Sequence, residues 1–383
     1  MHAPGQMTTV ATVSLVVLAL AACSGNATGP GQATPSATTP HTPSGDRVGQ
    51  GTPTDSPGST TPSTASVQSH RAVTIAFAGD VHFEAFLARR LDHPKTAIGP
   101  LARVLAGADV SIVNLETAVT TRGTPEVKEY TFRAPPAAFT ALKDAGIDVA
   151  TMANNHAMDY GPVSVPDALA AAKANAMPVI GIGEDAAHAY RPWIVSVHGQ
   201  RIAFLAATAF LQPVSLVPSW SAGPLHPGLA MAMPGHDDAL VAAVKAVRPR
   251  VDTVVVDVHY GHNLQTCPTP WQRTLASDLA QAGADIVVGQ HAHVLLGGGY
   301  LGSTYVDYGM GDFEFYVPNG GVTAETGVLV LTVDGRRVGD PRWVPAEIVD
   351  GLPTALSGGS ATAAQQRWSA LRGCTGLTAE PIG

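Results

Sequence analysis

The chain has 383 residues, 45% of them hydrophobic, enough to bury a sizeable core as one large domain or two small ones. Thirty Asp and Glu against 22 Lys and Arg leave a formal charge of −8, which argues against a nucleic-acid partner. With only three cysteines, a metal site built on several thiolates is excluded, so any metal here sits among nitrogen and oxygen donors.

Residues 10–22 form an uncharged apolar run, too short to span a bilayer, that ends in Leu20-Ala21-Ala22-Cys23. It resembles a bacterial lipoprotein signal with its lipobox, although no Lys or Arg precedes the apolar core. The expectation is a signal over residues 1–23, lipid on Cys23, and residence on the extracytoplasmic face of the cell membrane; an ordinary secretory signal is the alternative. Residues 24–70 are about two-thirds Ser, Thr, Pro and Gly, with almost nothing apolar to offset the entropy of ordering them, and read as a disordered tether. A folded domain is expected over residues 71–350, with a C-terminal extension over residues 351–383. In an oxidising compartment Cys267 and Cys374 are expected to form one disulfide.

The domain opens with a strand-like run, Val73 to Ala78, a stretch of helical spacing from Ile98 to Ala106, and a second strand from Val110 to Val113. Helices are predicted at Pro136–Ala145, Val163–Ala176, His236–Val247 and Trp271–Ala282. Strands alternate with them at Ile147–Met152, Thr253–Val258 and from Ile286 towards His293, and Ile194–Val197 with Arg201–Ala207 reads as a hairpin. Two further strands, Thr304–Tyr308 and Gly327–Val333, and a helix at Ala361–Leu371 complete the pattern. Strands separated by helices of this length indicate βαβ units, and the hairpin points to a mixed sheet or two packed sheets.

Five of these segments end in ligand-type side chains. They are Gly79-Asp80-Val81-His82, Asn114-Leu115-Glu116, Asn154-Asn155-His156, His259-Tyr260-Gly261-His262 and Gly289-Gln290-His291-Ala292-His293. Each has a structural explanation alone: Asp80 as a helix cap, the asparagines as turn formers, His259 as a satisfied core residue. Together they suit a pair of divalent cations, which needs one bridging carboxylate and several His, Asn and Asp donors. On a strand continued to its end, His291 and His293 share a face and reach the carboxyl edge together.

This series, with Phe132-Arg133-Ala134-Pro135-Pro136 and Ala153 through Gly161, resembles the calcineurin-like metallophosphatases, in the form carried by the CapA family of capsule-synthesis, poly-γ-glutamate-associated proteins. The resemblance spans about Arg71 to Pro345. It implies an α/β fold of two mixed sheets packed as a sandwich and flanked by helices, in four layers αββα. It also implies two divalent metal ions, manganese, iron or zinc. Carried over, Asp80, His82 and His293 hold one metal, Asn155, His259 and His291 the other, and Glu116 bridges them; His156 is the general acid or stabilises the leaving oxygen. Arg133 and His262 are the candidates for an anionic group of the substrate. Two local departures bear on the substrate pocket: Asn263 stands where the family carries a carboxylate, and Asp312 where it carries Asn.

The function this implies is a lipid-anchored, metal-dependent hydrolase of phosphoesterase type acting on an anionic small molecule or polymer, in capsule or poly-γ-glutamate metabolism and beside an envelope polymer-synthesis machinery. The alternatives are a non-catalytic binding or export factor for such a polymer, or an amide hydrolase of poly-γ-glutamate.

Overall fold

The computed structural model describes residues 70–316 and 320–382. The expected signal, the lipidation point Cys23 and residues 24–69 of the expected tether lie outside the described residues.

The first half alternates strand and helix: β1 (Val73–Val81), β2 (Val110–Leu115), α1 (Ala137–Asp144), β3 (Val149–Thr151), α2 (Ser164–Ala174) and β4 (Val179–Ile180). The hairpin is β5 (Trp193–Val197) and β6 (Gln200–Thr208). Alternation resumes with α3 (Asp238–Val247), β7 (Thr253–Tyr260), α4 (Pro270–Ala282) and β8 (Ile286–His291). The chain continues through β9 (Gly298–Leu301), β10 (Thr304–Asp307), β11 (Asp312–Glu314), β12 (Glu325–Asp334), β13 (Arg337–Val349), β14 (Leu352–Ala355) and α5 (Gly358–Leu371). The boundaries of α4 follow from its ends. Thr269 and Gln272 form a reciprocal capping box before Pro270, and Gly283 closes the helix in the left-handed conformation at φ 110°. The helix expected over Ile98–Ala106 is instead two short turns, Pro94–Ala97 and Ala102–Leu105. Between them Gly99 takes φ +79° and Pro100 has no N–H to donate, so a continuous helix cannot form.

One sheet has the order β14-β13-β12-β1-β2-β3-β4, with β11 also pairing with β1; the other has β9-β10-β8-β7-β6-β5. The runs β1-β2-β3-β4 and β6-β7-β8 are parallel, so each sheet gathers several strand carboxyl ends at one edge. Side-chain alternation sorts the core into layers. Ile75 and Phe77 of β1 and Ile112 of β2 meet Phe204, Val255 and Val288 of the facing sheet. Their neighbours Ala76, Ala78 and Val113 turn outward to Phe139 and Leu142 of α1. Val254, Val256 and Val287 pack beneath Leu240 of α3 and Leu275 of α4. The result is helix, sheet, sheet, helix, the four-layer arrangement expected.

The C-terminal segment is built into this frame. β14 pairs with β13, Trp368 of α5 stacks on Trp343 at 5.3 Å, and Cys374 is joined to Cys267 with Cα atoms 5.7 Å apart.

One irregularity decides which way Asp80 points. Strict alternation would place it with Ala76 and Ala78, away from the other sheet. The β1–β2 register shifts between Phe77 and Asp80, and past the shift Asp80 faces inward while Val81 returns to the helix side. Gly79 makes this possible, because a Cβ there would lie 1.8 Å from the Gly311 carbonyl oxygen. Gly79→Ala is therefore expected to cost about 3 kcal/mol or more, read as a lowered urea midpoint. An unchanged midpoint would show that β11 can yield.

Candidate metal centre

The same alternation that buries Val255 sends Asp257 and His259 of β7 between the sheets, and the one that buries Ile112 sends Asn114 after it. Asn114 ties three strand ends together. Its Nδ2 donates to Asp80 Oδ1 at 2.7 Å, and its Oδ1 accepts from Thr151 Oγ1 and Asn154 Nδ2, both at 3.0 Å. Asp257 spans the sheets behind it, accepting from Thr151 Oγ1 at 3.3 Å and Gln290 Nε2 at 3.0 Å. The backbone N–H of His291 donates to Asp80 Oδ2 at 3.1 Å.

These bonds converge on two groups of donor atoms. In one, atoms of Glu116, His259 and His291 lie within 4.8 Å of one another; in the other, atoms of Asp80, Glu116 and His293 do. Glu116 belongs to both. It is fully buried, and neither of its carboxylate oxygens nor either ring nitrogen of His291 has a hydrogen-bond partner. Asn155 Oδ1 lies 2.6 Å from His259 Nε2, at the edge of the first group. Unpartnered carboxylate in a dry interior is costly, and imidazole nitrogens left open beside it complete a donor set that fits divalent cations.

The electrostatics carry the same signature. Burial, with neighbouring carboxylates, pushes Asp80 up to about 7 and Glu116 up to about 8. Burial pulls His259 down to about 3 and lowers His291. His293 goes the other way: burial opposes its charge, but Asp312, Glu116 and Asp80 together raise it to about 10.

The two histidines do not reach the site by strand alternation. β8 ends at His291, whose parity would turn it to the helix side with Val287. His291 takes φ +89° and His293 φ +55°, both left-handed, and this swings the rings inward. Such conformations cost non-glycine residues about 1–3 kcal/mol each, and they concentrate at functional sites.

Three expected site residues stand apart from both groups. His82 lies stacked on Phe132 with ring centroids 4.7 Å apart and edge-on to Phe315 at 4.0 Å, while its Nδ1 accepts from the Glu84 N–H at 3.0 Å. Arg133 is turned away, its guanidinium 3.3 Å above the Tyr160 ring and bonded to the Arg122 carbonyl at 3.1 Å; stacking and carbonyls there outcompete the cleft. His262 is exposed, and its neighbour Asn263 lines the cleft instead.

His156 is held by Asp159. Its Nδ1 lies 2.5 Å from Asp159 Oδ2, an i,i+3 pair, and Asp159 also accepts from Lys128 Nζ at 2.5 Å and the Phe132 N–H at 2.7 Å. The i,i+3 spacing was the available signal for Asp159. Asp312, which departs from the family's Asn, sits beside Asp80 in the β1–β11 register and 2.8 Å from His293 Nδ1. Above the donors opens a cleft of about 870 Å³ lined by Lys128, Tyr130, Phe132, Asn155, His156, Phe210, Gln212, Asn263, His291, His293, Phe315 and Tyr316, among others.

The strand ends of one four-layer αββα sandwich thus collect buried carboxylate, imidazole and amide donors. Within it, the bacterial capsule synthesis protein family PGA_cap matches residues 74–316, and the chain belongs to that family. Over 223 residues it is 32% identical to the capsule biosynthesis protein CapA of Bacillus anthracis, covering 57% of this chain and 52% of that protein. Over 175 residues it is 31% identical to the PGA biosynthesis protein CapA of Bacillus subtilis, covering 45% and 44%. A probable polyglutamine synthesis accessory protein of Mycobacterium tuberculosis is 30% identical over 190 residues, 48% of this chain and 50% of its own. The chain thus spans about half the length of the curated relatives it matches. Among solved structures, a hypothetical protein from Thermus thermophilus aligns with TM-score 0.44 at 17% identity, over 72% of this chain and 99% of that one. A protein described as a novel phosphatase, from Mycoplasma pneumoniae, aligns with TM-score 0.44 at 14% identity, over 73% and 95%.

Proposed function

We propose that this chain is a hydrolase of phosphoesterase type that depends on two divalent cations, held by a lipid anchor on the extracytoplasmic face of the membrane and serving capsule or poly-γ-glutamate metabolism. The observation that carries the reading is Glu116, whose buried, unpartnered oxygens belong to both donor groups. Family membership and the relatives' names support the biological setting. On this reading Asp80, Glu116 and His293 hold one cation, and Glu116, His259, His291 and Asn155 the other; nitrogen and oxygen donors of this kind suit manganese, iron or zinc. Bound there, the cations would polarise an ester oxygen and make water a better nucleophile near neutral pH.

The chain's own contribution to proton transfer falls to His156. With its Nδ1–H directed at Asp159, neutral His156 presents Nε2 as an acceptor, and burial first, then Lys128, keep the ring neutral by lowering its pKa. Nε2 can take a proton as water attacks and return it to the leaving oxygen. His156→Ala is expected to lower turnover of an aryl phosphate by about 10²–10⁴-fold with metal content unchanged. Two bound metals in the unaltered chain with no activity on phosphoesters, other esters or amides would overturn the hydrolase reading.

Asp312 has a distinct task here. Its Oδ1 lies 2.8 Å from His293 Nδ1, the ring nitrogen that also lies 3.8 Å from Asp80 Oδ2, so Asp312 sets the orientation and charge of that imidazole at the centre. Asp312→Asn is expected to weaken one of the two cations by about 10–100-fold in competition with a chelator, the other remaining unaffected. Affinities at both positions unchanged from the unaltered chain would remove Asp312 from the centre.

A further inference from the structure

The cleft above the metal donors is unlike the binding groove of a polyanion. Among its described lining residues the one lysine is Lys128, and its ammonium is already engaged: the side chain is 5% exposed, donates to Asp159 at 2.5 Å and also bonds the Asn155 carbonyl. Arg133, the guanidinium closest in sequence, is committed to Tyr160 and to backbone carbonyls. Glu129 on the rim adds negative charge to a chain whose net charge is already −8. A run of carboxylates would therefore find no uncommitted lysine or arginine among the described lining residues, and its main attraction would be the cations themselves.

The walls offer something different. Tyr130, Phe132, Phe210, Phe315 and Tyr316 present aromatic surface around the cleft. Tyr130 is 57% exposed at the rim and offers a free ring, while Phe132, stacked on both His82 at 4.7 Å and His156 at 3.9 Å, joins the aromatic wall to the reacting position. Uncharged amides of Gln212 and Asn263 stand among these rings. Aromatic faces interspersed with amides and phenol hydroxyls suit a flat, hydroxylated, uncharged group: its C–H face lies on a ring and its hydroxyls meet the amides. A plain acyl chain would leave those amides unpaired.

Resting on the hydrolase reading, we propose that the cleft takes a substrate with a single anionic phosphate at the cations and an uncharged glycosyl group on the aromatic wall, a glycosyl phosphate ester rather than a polyglutamate chain. The experiment is calorimetric titration of the manganese-loaded full chain with probes that cannot be hydrolysed: methylphosphonate, a glucose C-phosphonate, decylphosphonate, and γ-glutamate oligomers of increasing length. The glucose phosphonate is expected to bind at least ~10-fold tighter than methylphosphonate. Tyr130→Ala combined with Gln212→Ala is expected to erase that advantage while leaving methylphosphonate binding intact. Equal affinity for the two, a decyl chain matching the sugar, or affinity that climbs with γ-glutamate length would each overturn the proposal. Failure of methylphosphonate itself to bind the metal-loaded chain would sink the hydrolase reading, and this inference with it.

Discussion

Glu116→Gln is expected to empty both cation positions at once and to lower phosphoester turnover by about 10³-fold or more. The substitution keeps the size and shape of a fully buried side chain, so packing is preserved while the shared negative charge is lost. Because Glu116 contributes to both donor groups, its removal cannot be absorbed by one of them. A substitution confined to one group, such as His259→Ala, is expected to leave about one equivalent of metal by elemental analysis, and Glu116→Gln close to none. One retained equivalent in Glu116→Gln would mean that the two positions are independent and that the carboxylate serves only one.

The second large effect is on stability, and its sign follows from the raised carboxyl groups. In the metal-free protein Asp80, Asp159, Asp257 and Asp307 are each pushed up to about 7 and Glu116 to about 8, in every case by burial first. The folded chain therefore holds protons that the unfolded chain releases near pH 4, and stability falls as pH rises through the folded values. His293, raised to about 10, adds the same trend, since its contribution is complete below about pH 6.5 and is lost on the way to 10. His82, His156, His259 and His291 are lowered by burial, so they raise stability with pH, an effect that fades only as the unfolded imidazoles lose their protons around and just above pH 6.5. Between pH 6.5 and 8.5 the raised carboxyl groups and His293 therefore set the trend, opposed by the lowered histidines at the bottom of the window and by Lys128, whose pKa burial also lowers. The metal-free chain is expected to lose about 5–10 °C in Tm across that window. Saturating manganese, at about a thousand times Kd, adds about 4 kcal/mol per site and reverses the slope, because cations replace the protons. Calorimetry with chelator and with metal at the two pH values measures this; a metal-free Tm that rises with pH contradicts it.

Much of the frame can be read from residues alone. The valine run of β7 announces a strand buried on both faces, and Asp257 and His259 inherit the inward face simply by counting in twos. The capping box at Thr269 and the glycine at 283 bracket α4 without reference to anything distant. What could not be read depends on contacts between segments far apart. Gly79 looks like a turn residue, and its role as the bulge that reverses Asp80 exists only because Gly311 lies against it. The left-handed backbone at His291 and His293 is imposed by its surroundings and contradicts the alternation their spacing suggests. Arg133 carries the right chemistry for an anion, and only the position of Tyr160 reveals that it is occupied elsewhere. Asp312 is distinguished from a chance substitution by its register with Asp80.

The bridge between Cys267 and Cys374 reaches further than the tail it fastens. Cys267 closes the loop after β7, and in that loop the Leu264 N–H donates at 2.8 Å to the carbonyl of Ala292, the residue between the two site histidines. On its other side Arg273 of α4 bonds the Cys374 carbonyl at 2.5 Å. The rim of the cleft and the strained histidine segment are thus braced by a covalent bond that needs an oxidant to form. Reduction of that bond is therefore expected to leave every donor present while loosening the loop that bonds the residue between the two histidines.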